Sequence, residues 1–73
     1  MKTLKDLTIG QSGVVAKVDT TGALKQRLVD MGITKGTDVS VVKIAPLGDP
    51  IEIEIRGYNL SIRKADAEKI LIK

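Results

Sequence analysis

From Ile51 to Arg56 the chain alternates apolar and charged residues at every step, Ile-Glu-Ile-Glu-Ile-Arg. A period of two places Ile51, Ile53 and Ile55 on one face of a strand and Glu52, Glu54 and Arg56 on the other. The segment before it, Ala45-Pro46-Leu47-Gly48-Asp49-Pro50, is a loop pinned by two prolines. Each proline sets its own φ and pushes the preceding residue, Ala45 or Asp49, toward an extended conformation. Gly48 supplies the freedom that a sharp reversal needs. A stiff loop therefore feeds the most regular strand in the chain, and the remaining segments read as built around this hairpin.

The chain of 73 residues is short enough for one domain, spanning 1–73. A chain of that length buries only about 60–65% of the surface it exposes when unfolded. Ile, Leu and Val carry its apolar content, and Tyr58 is the single aromatic residue. A core of branched aliphatics suits a pleated surface. The absence of Cys excludes disulfides and thiolate metal sites, and the absence of His removes the commonest metal ligand and the usual general base at neutral pH. No run near the start has the length of a signal peptide, and no stretch approaches the ~20 apolar residues of a membrane span. A soluble, cytoplasmic protein is expected. Twelve basic residues stand against nine acidic ones, a net charge of +3, with the signs interspersed along the chain. That pattern describes a mixed soluble surface rather than the concentrated footprint of a polyanion binder.

Taken in order, Leu4 and Leu7 have the spacing of one helical turn, placed to plug one end of a barrel. Gly13 to Asp19 reads as a strand with Val14, Ala16 and Val18 inward and Lys17 and Asp19 outward; Val15 breaks this pattern. Thr20-Thr21-Gly22 offers a threonine N-cap to a helix running from about Gly22 to Met31. Leu24, Leu28 and Met31 form its apolar stripe. Gly32 is placed as the left-handed residue that ends the helix, with Ile33 packing back on Leu28. Asp38 to Ala45 is a strand whose phase slips, which calls for a bulge near Val41-Val42 or burial on both faces. Gly57-Tyr58-Asn59 reads as a turn. An even number of loop residues sets Ile55 opposite Ile62 and Glu54 opposite Arg63 as an ion pair. A helical turn over Lys64–Glu68 and a last strand over Ile70–Ile72 complete a mostly β chain. It has about five short strands, one inserted α-helix and short helical turns, bent into a small barrel.

Candidate chemistry is sparse. Ser12, Ser40 and Ser61 have no His or Cys to activate them, so no catalytic residue is expected. Glu52 and Glu54 share a strand face about 6.6–7 Å apart, but a chain this small offers no cleft for a sugar, and Arg56 and Arg63 are placed to pair with them. Asp49, Glu52 and Glu54 match no metal-ligand spacing. Each glycine sits where a turn needs one, and none forms a phosphate loop. Neither a cofactor nor a metal is expected. A nucleic-acid-binding small barrel is the alternative from another class, and it lacks the aromatic platforms on which bases stack. Two features suit a protein partner. Arg27 flanks the Leu24–Leu28–Met31 stripe, either as a stem lying along the surface or as a contact. Leu47, at the tip of the proline loop, either folds over the barrel end or waits for a partner.

Three pieces of the chain together resemble the FeoA family of small cytoplasmic proteins of bacterial ferrous iron uptake. They are Leu4-Lys5-Asp6-Leu7 with Gly10 and Gly13-Val14-Val15; Arg27-Leu28-Val29-Asp30-Met31-Gly32-Ile33 with Lys35-Gly36-Thr37; and Ala45-Pro46-Leu47-Gly48-Asp49-Pro50-Ile51 with Arg56-Gly57 and Leu60-Ser61-Ile62-Arg63-Lys64. The resemblance implies an SH3-like barrel with an inserted helix. It also implies a non-catalytic accessory role, binding the cytoplasmic GTP-binding part of the FeoB transporter and meeting the membrane only through it. Similar domains end iron- and manganese-responsive repressors, where they serve as interaction modules. No nucleic acid is expected as a partner, and homo-oligomerisation is left open. The candidate partner-binding residues are Leu24, Arg27, Leu28 and Met31 on the helix, and Pro46, Leu47, Gly48 and Asp49 on the loop.

Overall fold

In the computed structural model, which describes residues 2–73, the isoleucine face lies where its spacing demands, with Ile51, Ile53 and Ile55 all buried. They belong to β3 (Ile51–Ile55). The other elements are a 3-10 turn (Leu4–Asp6), β1 (Ser12–Val18), α1 (Gly22–Asp30), β2 (Asp38–Ile44), β4 (Tyr58–Ile62), α2 (Lys64–Ala67) and β5 (Ile70–Ile72). The five strands make one antiparallel sheet in the order β4-β3-β2-β1-β5. The mostly β class and the inserted helix are as expected, but the sheet is not closed, because β4 and β5 end the order without pairing. Residues 2 and 3 occupy the outer edge of β5: Thr3 bridges Leu71, and the Ile72 amide donates to the Lys2 carbonyl at 2.7 Å.

The β3–β4 turn is shorter than expected. Arg56 and Gly57 form it alone, both left-handed at φ 52 and 85. Two consecutive positive φ values match the right-handed twist of a hairpin. The pairs are Ile55–Tyr58, Ile53–Leu60 and Ile51–Ile62. The loop is even, so the parity argument holds, but Ile55 faces Tyr58 rather than Ile62. Glu54 lies opposite Asn59, so the expected Glu54–Arg63 cross-strand pair does not exist. The shorter turn wins because it gives all three isoleucines an apolar partner.

Two bulges set which residues reach the core. In β2 the register shifts between Val41 and Lys43, as the slipped phase requires. Val39 and Val41 are buried, Val42 is the exposed extra residue, and Ile44 returns to face Ile51. In β1 a second shift falls between Val15 and Lys17. This overturns the expected phase of that strand: Val15 and Val18 are buried, while Val14 and Ala16 are half-buried. The bulge puts residues three apart on one face, so Val15 joins the core instead of breaking its pattern.

Helix α1 ends as its sequence dictates. Gly32 is left-handed at φ 96. Its amide donates to the Val29 carbonyl at 2.9 Å, and the Ile33 amide to the Leu28 carbonyl at 3.0 Å. Those two bonds are the Schellman pattern, and Ile33 and Leu28 are buried in one apolar cluster. At the other end Thr21 occupies the N-cap position, yet its side chain makes no capping bond. Gly22, left-handed at φ 72, turns the chain into the helix instead.

Leu4, which begins the 3-10 turn, and Leu7, which follows it, are buried in the same cluster. Asp6 closes that turn by accepting the Thr3 amide at 2.9 Å and the Thr3 hydroxyl at 3.3 Å. The amide bond above all, helped by that hydroxyl and by Lys5 and Lys2, holds the Asp6 carboxyl below its ordinary value.

Two outcomes follow for stability. The γ2 methyl of buried Ile72 lies 2.5 Å from where a Cβ on Gly13 would stand. Because Ile72 is stiff at χ1, Gly13→Ala should lose about 1–3 kcal/mol in urea unfolding with an unchanged m-value. For Asp6, a lowered folded-state pKa means a contribution that is complete above the ordinary carboxylate range and lost as pH falls through the folded value. Wild type and Asp6→Ala should therefore differ in urea midpoint at neutral pH and converge in acid. A gap that persists or widens in acid would contradict the carboxylate's part in this turn.

Candidate functional site

The apolar stripe of α1 is largely consumed by the fold. Leu28 is buried, and Leu24 and Met31 pack half-buried against the core. Arg27, on the flank, remains 61% exposed along its side chain. Its Nη2 donates to Asp66 Oδ2 of α2 at 2.7 Å. The expected alternatives for Arg27 were a stem along the surface or a contact. The structure ties it to a carboxylate on another element while leaving much of the guanidinium in solvent.

The proline loop is internally braced. The Gly48 amide donates to the Ala45 carbonyl at 2.7 Å and the Ala45 amide to the Pro50 carbonyl at 3.1 Å. The Asp49–Pro50 peptide is cis. Asp49 Oδ1 accepts the Lys64 amide at the start of α2, at 3.0 Å. Leu47 is 95% exposed, so it covers neither the core nor an end of the sheet. Of its two expected roles, the lid is excluded.

Helix α2 thus touches both candidate surfaces. Asp66 holds Arg27 on one side, and the Lys64 amide is held by Asp49 on the other. Between α1, the end of β4 and α2 lies a groove of about 270 Å³, lined by Arg27, Leu28, Met31, Ser61, Ile62, Arg63 and Asp66. Arg63 and Asp66 were not expected here. The spacing predicts Arg63 on the outer face of the sheet as a partner of Glu54; the short hairpin turn carries it to the groove instead. Its ion pairs, among the described residues, are none, whereas Arg27 has Asp66. One carboxylate against two guanidinium groups leaves the groove net positive. The signal that could have found this was the symmetry of Ile51-Ile53-Ile55 and Tyr58-Leu60-Ile62 about Arg56-Gly57.

Tyr58 is placed in a turn by the sequence. It begins β4, and its hydroxyl donates to the Met31 carbonyl at 3.0 Å, fastening the end of α1 to the sheet. Among the described residues no group of three or more Asp or Glu side chains comes together. Among those residues, too, no helix is long and apolar enough to cross a membrane.

The FeoA domain family model matches residues 2–73. A segment of the Fe(2+) transport protein A/Fe(2+) transporter FeoB fusion protein of Porphyromonas gingivalis is 37% identical over 70 residues, which is 96% of this chain and 8% of that protein. The solution structure of iron(II) transport protein A from Clostridium thermocellum superposes with a TM-score of 0.95 at 33% identity, covering 99% of this chain and 44% of that one. Zinc-complexed FeoA from Stenotrophomonas maltophilia, described as a prokaryotic SH3 domain protein, has a TM-score of 0.88 at 26% identity over 100% of this chain and 91% of its own. A family match over the whole described chain, with these superpositions beside it, places this chain in the FeoA domain family, whose proteins take part in ferrous iron transport.

Proposed function

We propose that this chain is a non-catalytic, cytoplasmic accessory of ferrous iron uptake that docks on the cytoplasmic, GTP-binding part of a FeoB-type transporter and modulates it. One observation carries this reading: in the P. gingivalis relative, a segment 37% identical to this chain is part of a single polypeptide with an Fe(2+) transporter. Joining two units covalently raises their effective concentration and favours even a weak contact between them. Any such contact would run through the surface of the FeoA domain itself. The two surfaces flanking α2 are suited to it. The helix surface offers Leu24, Arg27 and Met31 around buried Leu28, and the loop offers Pro46, Leu47, Gly48 and Asp49. The loop's internal bonds and its tie to Lys64 mean that little further ordering is needed on binding.

Titrating the isotope-labelled chain with the cytoplasmic part of the transporter tests this. Signals of Arg27–Met31, of Pro46–Asp49 or of both should move and saturate. If no signal moves at high micromolar partner, docking on that part is wrong. Leu47→Ala is the cleaner variant: the side chain is 95% exposed, so stability should stay within about ±0.5 kcal/mol. If the loop docks, affinity should fall several-fold. Arg27→Ala removes an ion pair whose arginine side chain is 61% exposed and whose aspartate side chain is 15% exposed, so its stability is measured alongside, and a larger loss of affinity than of stability would mark Arg27 as a contact.

A further inference from the structure

The sheet has two edges, and the chain treats them differently. The edge of β5 is covered by the Thr3–Leu71 bridge and the bond from the Ile72 amide to Lys2. Among the described residues, β3 is the only strand that pairs with β4. In a hairpin closed by a two-residue turn, the residues flanking the turn exchange both hydrogen bonds, and bonded pairs then recur at every second residue. Tyr58, Leu60 and Ile62 therefore bond to β3, while the amides and carbonyls of Asn59 and Ser61 point away from the sheet. Among the described residues, no backbone bond from outside the sheet reaches either. Open strand edges are a pairing hazard that proteins usually blunt. Here the open edge runs beside the groove between α1 and α2, since Ser61 lines both that groove and a hollow on the outer face of the sheet beside Lys43 and Glu52.

We infer that the β4 edge is a strand-addition site for an extended acidic segment of a partner protein. This deepens the docking proposed above and rests on it for the partner's identity. A segment paired with Asn59 and Ser61 would gain main-chain hydrogen bonds and send alternate side chains into the groove. An aliphatic side chain there meets half-buried Met31, with Ile62 already covered by the core beneath it. An acidic one two residues away meets Arg63, which has no ion pair among the described residues, and the exposed part of Arg27. The planar guanidinium presents a fork of donors that matches a carboxylate. Charge argues against a second copy as occupant, because pairing β4 with itself would bring Arg56 and Arg63 of both copies around one short ladder.

The probe is a capped five-residue peptide, Thr-Val-Thr-Asp-Thr, whose valine and aspartate fall on one strand face. Titrated into the isotope-labelled full chain, it should shift Asn59 and Ser61 saturably and slow exchange of their amide protons. The same peptide N-methylated at its ladder amides should bind roughly tenfold more weakly, and so should the Asp-to-Lys peptide. Arg63→Glu, on an exposed side chain, should lose a similar factor while keeping the wild-type spectrum elsewhere. Absence of shifts, shifts confined to Pro46–Asp49, or equal binding of the N-methylated peptide would overturn the inference. Running the transporter fragment beside the peptide separates the two proposals. Fragment shifts that avoid β4 leave docking intact and remove strand addition; peptide binding at β4 with no response to the fragment does the reverse.

Discussion

Three isoleucines on β3 each face an apolar residue on both neighbouring strands. Ile55 lies between Val39 and Tyr58, Ile53 between Val41 and Leu60, and Ile51 between Ile44 and Ile62. Burying each isoleucine stabilises the fold by about 1.5–3 kcal/mol, and a one-residue slip of either neighbour would replace apolar partners with polar ones. The β2 bulge exists within this constraint. Without the extra residue at Val42, Lys43 rather than Ile44 would face Ile51. The two-residue Arg56-Gly57 turn satisfies the same demand on the other side, since a longer turn would leave isoleucines opposite solvent-facing positions. The register of three strands, the place of the bulge and the length of the turn thus follow from one buried face.

That register decides where the functional groups fall. It ends β4 at Ile62, which puts Arg63 at the groove and α2 immediately after it. The four residues of α2 then act as a joint. The Lys64 amide is held by Asp49 from the proline loop, and Asp66 holds Arg27 from α1. Tyr58 adds a third tie, from the start of β4 to the end of α1. Each tie is modest, because each is a single bond with at least one partner exposed to solvent. Together they hold a helix, a loop and a strand edge around one face of a chain otherwise organised by aliphatic burial. Membership of the FeoA domain family gives that face its proposed partner, while strand edge and charge come from this chain's own residues.

Local chemistry was legible wherever one residue type has one physical use. Gly32 could only end α1 in the left-handed conformation, and the alternation from Ile51 to Ile55 could only be a strand with a buried face. The slipped phase of β2 announced its bulge. The β1 bulge was not legible, since Val14, Val15, Ala16 and Val18 admit two inward sets, and the pairing with β5 decides between them. The helix stripe was read correctly as apolar but too generously as binding surface, because Leu28 is spent on the core. Arg63 and Asp66 were missed for a related reason: a groove built by three elements has no signature in any one of them.

The sequence by itself determined the mostly β class, the inserted helix and its glycine stop, and the absence of histidine and cysteine chemistry. Each rests on the chemistry of single residues or on periodicities within one element. Only the tertiary structure decided that the sheet stays open, that Leu47 is bare, that Asp49 serves α2, and that Arg27 and Arg63 line one groove beside an open strand edge. These depend on register and on contacts between residues far apart in the chain. Such contacts are chosen by the total apolar surface that all five strands can bury together, a quantity that no local stretch of sequence contains.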